Sequence, residues 1–222
     1  PDAVRSRDEV TRSNGRPMFK TRGMTMTARL IAYLALAFSL LVAGCAGSDF
    51  TRQSDDALMI GQTSREDILK RLGTPYREGA VVKNGKQLKT MTYAFATTGG
   101  TPARDGVTPA RGQGFYFLDD KLAGYDFTSS WKEDQSDFDG AKVTSIKKGV
   151  SSRDEVVRML GRPGGKYAFP MIPEPKGEAD VYLYAESRGG PFNMKFYQKH
   201  LVVTYDERGI VSNVDYQEVG QK

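Results

Sequence analysis

The stretch Gly61–Pro75, GQTSREDILKRLGTP, recurs with small changes as Gly149–Pro163, GVSSRDEVVRMLGRP. A chain that repeats a segment this closely is constrained to build the same local structure twice. Six of the fifteen aligned positions are identical, and six more exchange like for like, as in Glu66/Asp154, Asp67/Glu155 and Ile68/Val156. The correspondence continues downstream, where Tyr93-Ala94-Phe95-Ala96 matches Tyr182-Leu183-Tyr184-Ala185 at nearly the same separation. The chain therefore reads as an internal duplication.

Each copy spells out a short helix with both ends marked. Thr63 and Ser151 are placed to act as N-caps, with Glu66 and Asp154 three residues on as capping-box partners. Ile68, Leu69 and Leu72, like Val156, Val157 and Leu160, fall on one helical face. Gly73 and Gly161 can take the left-handed conformation that stops a helix, and Pro75 and Pro163 prevent its resumption. The periodicity then changes. Segments near 77–82, 88–97, 113–118 and 122–129, and again near 166–169, 180–187, 193–205 and 210–217, are rich in strand-forming residues and bounded by turn signals such as Asn84-Gly85.

The N-terminal part has a different character. Leu30–Ala43 is almost wholly apolar, is preceded by Lys20, Arg22 and Arg29, and is followed by Gly44-Cys45. That run is too short to span a membrane comfortably and has the layout of a secretory signal. Val42-Ala43-Gly44-Cys45 looks like a bacterial lipobox, which predicts cleavage before Cys45 and lipidation of the chain's only cysteine. Met18, Met24 and Met26 are candidate starts. Residues 1–44 carry seven of the 32 Lys and Arg and three of the 27 Asp and Glu, so the mature part keeps 25 and 24 and a net charge of +1. The basic balance thus belongs mostly to the signal, and nothing in the mature composition calls for nucleic acid. With its one cysteine lipidated, the mature chain has no disulfide and must be stabilised by packing.

Residues 99–114, GGTPARDGVTPARGQG, read as a long loop whose Arg104 and Arg111 are available to an acidic partner or to solvent. Trp131 is the only tryptophan and is expected to pack in the core or between repeats. The proline-stiffened loop Phe169–Lys176 carries Met171 and Ile172, expected either as an exposed docking feature or as cover over the sheet edge.

The repeated unit, with its Gly-x-Thr/Ser-x-x-acid, Leu-Gly-x-Pro and closing Leu201-Val203-Tyr205-Asp206, Gly209 and Val211, resembles the SmpA/OmlA (BamE-like) outer-membrane lipoproteins. The second copy matches along its length; the first matches well through Pro75. The resemblance implies an α+β fold, a tandem repeat of a helix pair packed on an antiparallel β-sheet (BamE-like/BLIP-like), as in the β-lactamase-inhibitor proteins. The expected organisation is an extension and signal over 1–44, removed; lipidated Cys45 and a tether over 45–54; a first repeat over 55–130; a connector over 131–137; and a second repeat over 138–222. Ala46 after Cys45 favours, by the same resemblance, sorting to the outer membrane, facing the periplasm.

The residues for catalysis are sparse. His200 is the single histidine and is expected to be solvated or hydrogen-bonded on its strand. The sequence offers no second histidine for a zinc cluster and no phosphate loop or nucleophile elbow. The reading is of a non-enzymatic module that binds outer-membrane or envelope proteins, needs no cofactor or metal beyond the lipid on Cys45, and meets the membrane through that lipid. An inhibitor or regulator of an envelope enzyme is the alternative, and a small-ligand or lipid-binding module a lower one.

Overall fold

The computed structural model describes residues 47–190 and 192–221; the signal-like run and Cys45 lie outside the described residues. Eight strands form one antiparallel sheet in chain order: β1 Arg77–Lys83, β2 Lys86–Ala96, β3 Ala110–Leu118, β4 Lys121–Ser129, β5 Gly165–Ala168, β6 Glu178–Arg188, β7 Lys195–Tyr205 and β8 Val211–Gly220. Among the described residues two α-helices accompany it, α1 Arg65–Leu72 and α2 Arg153–Leu160.

This corrects the expected fold class. Of the described residues 14% are helical and 45% strand, and they build a single eight-stranded sheet instead of a tandem of helix pairs on sheets. Where each copy was to carry a second helix there is only a 3-10 turn, Asp55–Ala57 or Gly140–Ser145. Those segments are too short and too polar to bury an apolar stripe, and after the first of them Leu58 is already extended, with φ −117° and ψ 92°. The two sets of four strands do not form separate sheets, because β4 pairs with β5 through Gly124–Tyr167 and Tyr125–Lys166.

The duplication is reproduced bond for bond. Gly61 N–H donates to the Leu122 carbonyl at 2.7 Å, Leu122 N–H to Thr63 at 2.9 Å and Arg65 N–H to Asp120 at 3.1 Å. In the second copy Gly149 donates to Val211, Val211 to Ser151 and Arg153 to Gly209, at 2.7, 2.9 and 3.0 Å. These bonds fasten each helix start to the head of the last strand of its copy. The caps sit one residue later than the sequence suggests: Ser64 with Asp67, and Ser152 with Glu155, close both capping boxes. Thr63 and Ser151 are buried, and their hydroxyls accept the N–H of Met59 and Lys147 at 2.9 and 3.0 Å, so the cap passes to the next residue. At the other end Tyr93 and Tyr182 donate to the carbonyls of Gly73 and Gly161 at 2.7 and 3.0 Å.

Alternation along the strands gives the sheet two faces. On the helix side, Ile68, Met91, Tyr93, Phe115, Phe117 and Tyr125 form one cluster, and Val156, Tyr182, Leu201, Val203, Tyr205 and Val211 form its counterpart. Burying such side chains stabilises the fold by roughly 1.5–3 kcal/mol each. On the opposite face Tyr167, Ile172, Ala179 and Val181 pack together, and Asp126 accepts from Tyr167 and Tyr116 at 2.5 and 2.9 Å.

The stretches expected as tether and connector share a short motif. Ser48-Asp49-Phe50 recurs as Ser136-Asp137-Phe138, and the two phenylalanines take equivalent places. Phe50 lies 6.0 Å from the Tyr93 ring and Phe138 lies 5.7 Å from the Tyr182 ring. Gly47 bridges Phe95, and the Gln53 N–H donates to the Gln113 side chain at 2.9 Å, so the segment after Gly47 is packed on the sheet.

Candidate functional site

Beside the second-copy core lies an open cleft of about 520 Å³, lined by Asp137, Phe138, Asp139, Tyr197, Lys199 and Glu218 among others. The strand β7 places Lys199 on the helix side of the sheet, where it is 4% exposed. A buried ammonium needs compensation. Its Nζ is 2.6 Å from Asp137 Oδ1, donates to the Phe138 carbonyl, and sits 4.6 Å over the Phe138 ring. Asp137 also faces Arg104 at 3.3 Å. Arg104 reaches across from the β2–β3 connection and donates to Glu186 Oε2 at 2.7 Å and to the Tyr184 hydroxyl at 2.9 Å. Arg188 donates to the other Glu186 oxygen at 2.9 Å. Burial pushes the Glu186 carboxyl up, but hydrogen bonds from Tyr184 and Arg188 and the charges of Arg104 and Arg188 hold it below its ordinary value. Tyr197 and Tyr216 donate to the two oxygens of Glu218 at 2.5 and 2.6 Å.

The first copy has a cleft in the equivalent place, about 730 Å³, lined by Asp49, Phe50, Arg52, Arg71, Arg111 and Glu133 among others. Cross-strand register makes the two sites correspond. Phe95 faces Arg111 as Tyr184 faces Lys199, so Arg111 is the first-copy equivalent of Lys199. Arg111 meets Glu133 at 3.0 Å and Asp134 at 3.3 Å, and stacks 4.6 Å over Trp131. The signs differ. Three arginines against Asp49 and Glu133 give the first cleft a formal charge of +1, whereas Lys199 against Asp137, Asp139 and Glu218 gives the second −2.

Arg104 and Arg111, the two arginines singled out from the sequence, are thus both part of this charged belt. Arg111 lies in β3 and not in a loop, and the β2–β3 connection is held by backbone bonds from Ala103 to Ser130, Lys132 to Thr101 and Thr108 to Ser187. Trp131 stacks on Phe95 at 6.0 Å, and a Cβ on Gly100 would strike its ring, which explains the glycine there. Met171 and Ile172 lie elsewhere. Ile172 is 3% exposed beneath its loop on the opposite face, with Met171 half-buried beside it, so the loop covers the sheet and does not display them. His200 is half-buried on that same face, where burial holds its imidazole below the usual value. Cys45 lies outside the described residues. Glu186, Lys199 and Glu218 escaped the sequence reading, whereas Asp137 reads from the sequence as a solvated turn acid and is instead paired with Lys199 and Arg104.

Chemically, the belt consists of ion pairs whose partners are supplied within the chain, with charged and phenolic groups at the cleft walls. Such walls suit recognition of charged groups on another molecule. Among the described residues, no group of three or more His, Cys, Asp or Glu is placed to hold a metal ion, and no helix is long and apolar enough to cross a membrane. Comparison with protein-family models, curated proteins and solved structures finds no match. The resemblance to the SmpA/OmlA lipoproteins therefore rests on the sequence residues quoted for it.

Proposed function

We propose that the mature chain is a lipid-anchored, periplasm-facing envelope protein that acts as a non-enzymatic protein-binding module in outer-membrane assembly or integrity. The observation that carries the binding role is the pair of equivalent clefts with opposite charge. The two copies keep the same caps, helix stops and aromatic anchors, and they diverge in the groups that line the clefts, from Arg52 and Arg71 in one to Asp139 and Glu218 in the other. Charge that differs on a repeated scaffold supplies specificity and orientation toward a partner bearing both signs. The apolar run before Cys45, the single cysteine and the family resemblance support the envelope setting.

Photo-crosslinking residues placed at Thr51 and at Asp139, one on each cleft, test this in intact cells. Both positions are expected to capture outer-membrane assembly proteins. Arg71→Glu or Asp139→Lys is expected to lower the yield about tenfold, the equivalent of about 1.4 kcal/mol. Capture of no envelope protein from either position would sink the reading. Cys45→Ser is expected to abolish fatty-acid incorporation and release the protein from membranes.

A further inference from the structure

One end of the sheet gathers features that the clefts do not use. The strands β2, β4, β6 and β8 run toward this end, and the register places Phe95, Ser129, Arg188 and Gly220 there. The β6–β7 hairpin projects from it and exposes Phe192, Met194 and Phe196, while Val219 of the neighbouring β8 is exposed beside them. Phe192 is fully exposed, and Phe196 and Val219 are 65% and 60% exposed. An apolar groove of about 300 Å³ runs between Phe196, Val219 and Ala185. Lys195, exposed between Met194 and Phe196, adds a cation to the same turn. Clustered exposed aromatic rings and Met mark a surface that is stabilised when something apolar covers it.

The covering surface is identified by where the chain enters the fold. Gly47 makes an antiparallel bridge to Phe95. Because β2 runs toward this end, the chain runs away from it after Gly47, and therefore enters the fold from it. Only Ala46 separates Cys45 from Gly47 in the sequence, and two peptide units span at most ~7 Å. Four strand spacings, ~20 Å, separate the bridge from the β6–β7 hairpin.

We infer that this end of the sheet rests on the lipid bilayer, with the β6–β7 hairpin inserting Phe192, Met194 and Phe196 into the interface as a second contact beside the lipid on Cys45. The inference rests on the lipid-anchored reading of Cys45. The aromatic and thioether side chains take the acyl boundary, and Lys195 takes anionic headgroups. Two contacts separated across the sheet fix the orientation of the molecule, which one flexible lipid attachment does not.

The test uses the full processed protein in vesicles of phosphatidylethanolamine and phosphatidylglycerol, with an environment-sensitive dye on the thiol of Phe192→Cys or, at the opposite end of the sheet, of Glu207→Cys. Cys45 is the chain's single cysteine, so once it carries its lipid the introduced thiol is the only free one. Phe192 has no packing to lose, so folding is not at stake. The dye replacing Phe192 is expected to shift to the blue and to be at least ~fivefold less accessible to iodide than the dye replacing Glu207. Equal accessibility in a protein whose Cys45 is shown by mass spectrometry to be acylated overturns the inference and leaves the anchor standing. Shielding that appears only when another envelope protein is added assigns the hairpin to a protein contact and overturns it too. A Cys45 found without acyl chains overturns the anchor and the inference together.

Discussion

Asp126 shows how a single side chain can set the pH response of this fold. It is buried between Tyr116 and Tyr167, both of which donate to it. Burial pushes its carboxyl up, and the two phenols pull it only part of the way back. A carboxyl whose folded value lies above its unfolded one contributes stability that is complete below about pH 3.9, the unfolded value, and is lost as pH rises through the folded value. Asp126→Asn keeps the shape and the acceptor while removing that dependence. The variant is therefore expected to gain stability relative to the parent as pH rises from 4 to 7, read as the difference in denaturation midpoints at several pH values. A constant difference across that range would show that the parent carboxyl is ionised in the fold at little cost.

At the scale of the element, glycine stops each helix at positive φ as the sequence suggests, but with an extended ψ in place of the left-handed helical one. Gly161 has φ 88° and ψ −173°, and Gly73 has φ 72° and ψ −151°. That region is open essentially to glycine alone. A Cβ at Gly161 would meet nothing within 4 Å, so Gly161→Ala isolates backbone strain from steric conflict. The expected loss is ~1–3 kcal/mol, measured by urea denaturation; an unchanged midpoint would mean that the helix end relaxes freely. Strands were also legible, all eight within a few residues, because turn residues and β-branched runs mark them locally. The fold class was not. Whether a stretch such as Asp55–Ala57 extends into a full second helix depends on what it packs against, and the joining of β4 to β5 depends on residues more than forty positions apart. The cleft residues were hidden for the same reason: Lys199 looks like any strand lysine until Asp137 and Phe138 are folded over it.

The whole molecule depends on the seam between the copies. Because β5 is only four residues long, β4 faces β6 directly beyond its end, and side chains complete the pairing. The Thr128 hydroxyl accepts the Ala185 N–H at 3.0 Å. Ser136 accepts from the Ser129 N–H at 2.9 Å and donates to the Leu183 carbonyl at 2.6 Å. Ser136→Ala removes both bonds without altering either core. It is expected to cost ~1–3 kcal/mol and, at ~2–4 °C per kcal/mol for a chain of this size, to lower the melting temperature accordingly. Retention of the parent melting temperature would indicate that water replaces the hydroxyl.

The strand order has a consequence for how the chain acquires its shape. Every strand pairs with the one made next, and among these pairings the one that must close over a long intervening segment is β4 with β5. The loops that must close are short where they join hairpins, and the entropy of closing them is small. A chain emerging end first from a ribosome or a translocation pore can therefore zip the first copy while the second is still threading. The first copy also presents β4 as the template on which β5 and β6 then grow. The duplication thus supplies an order of assembly as well as a pair of clefts.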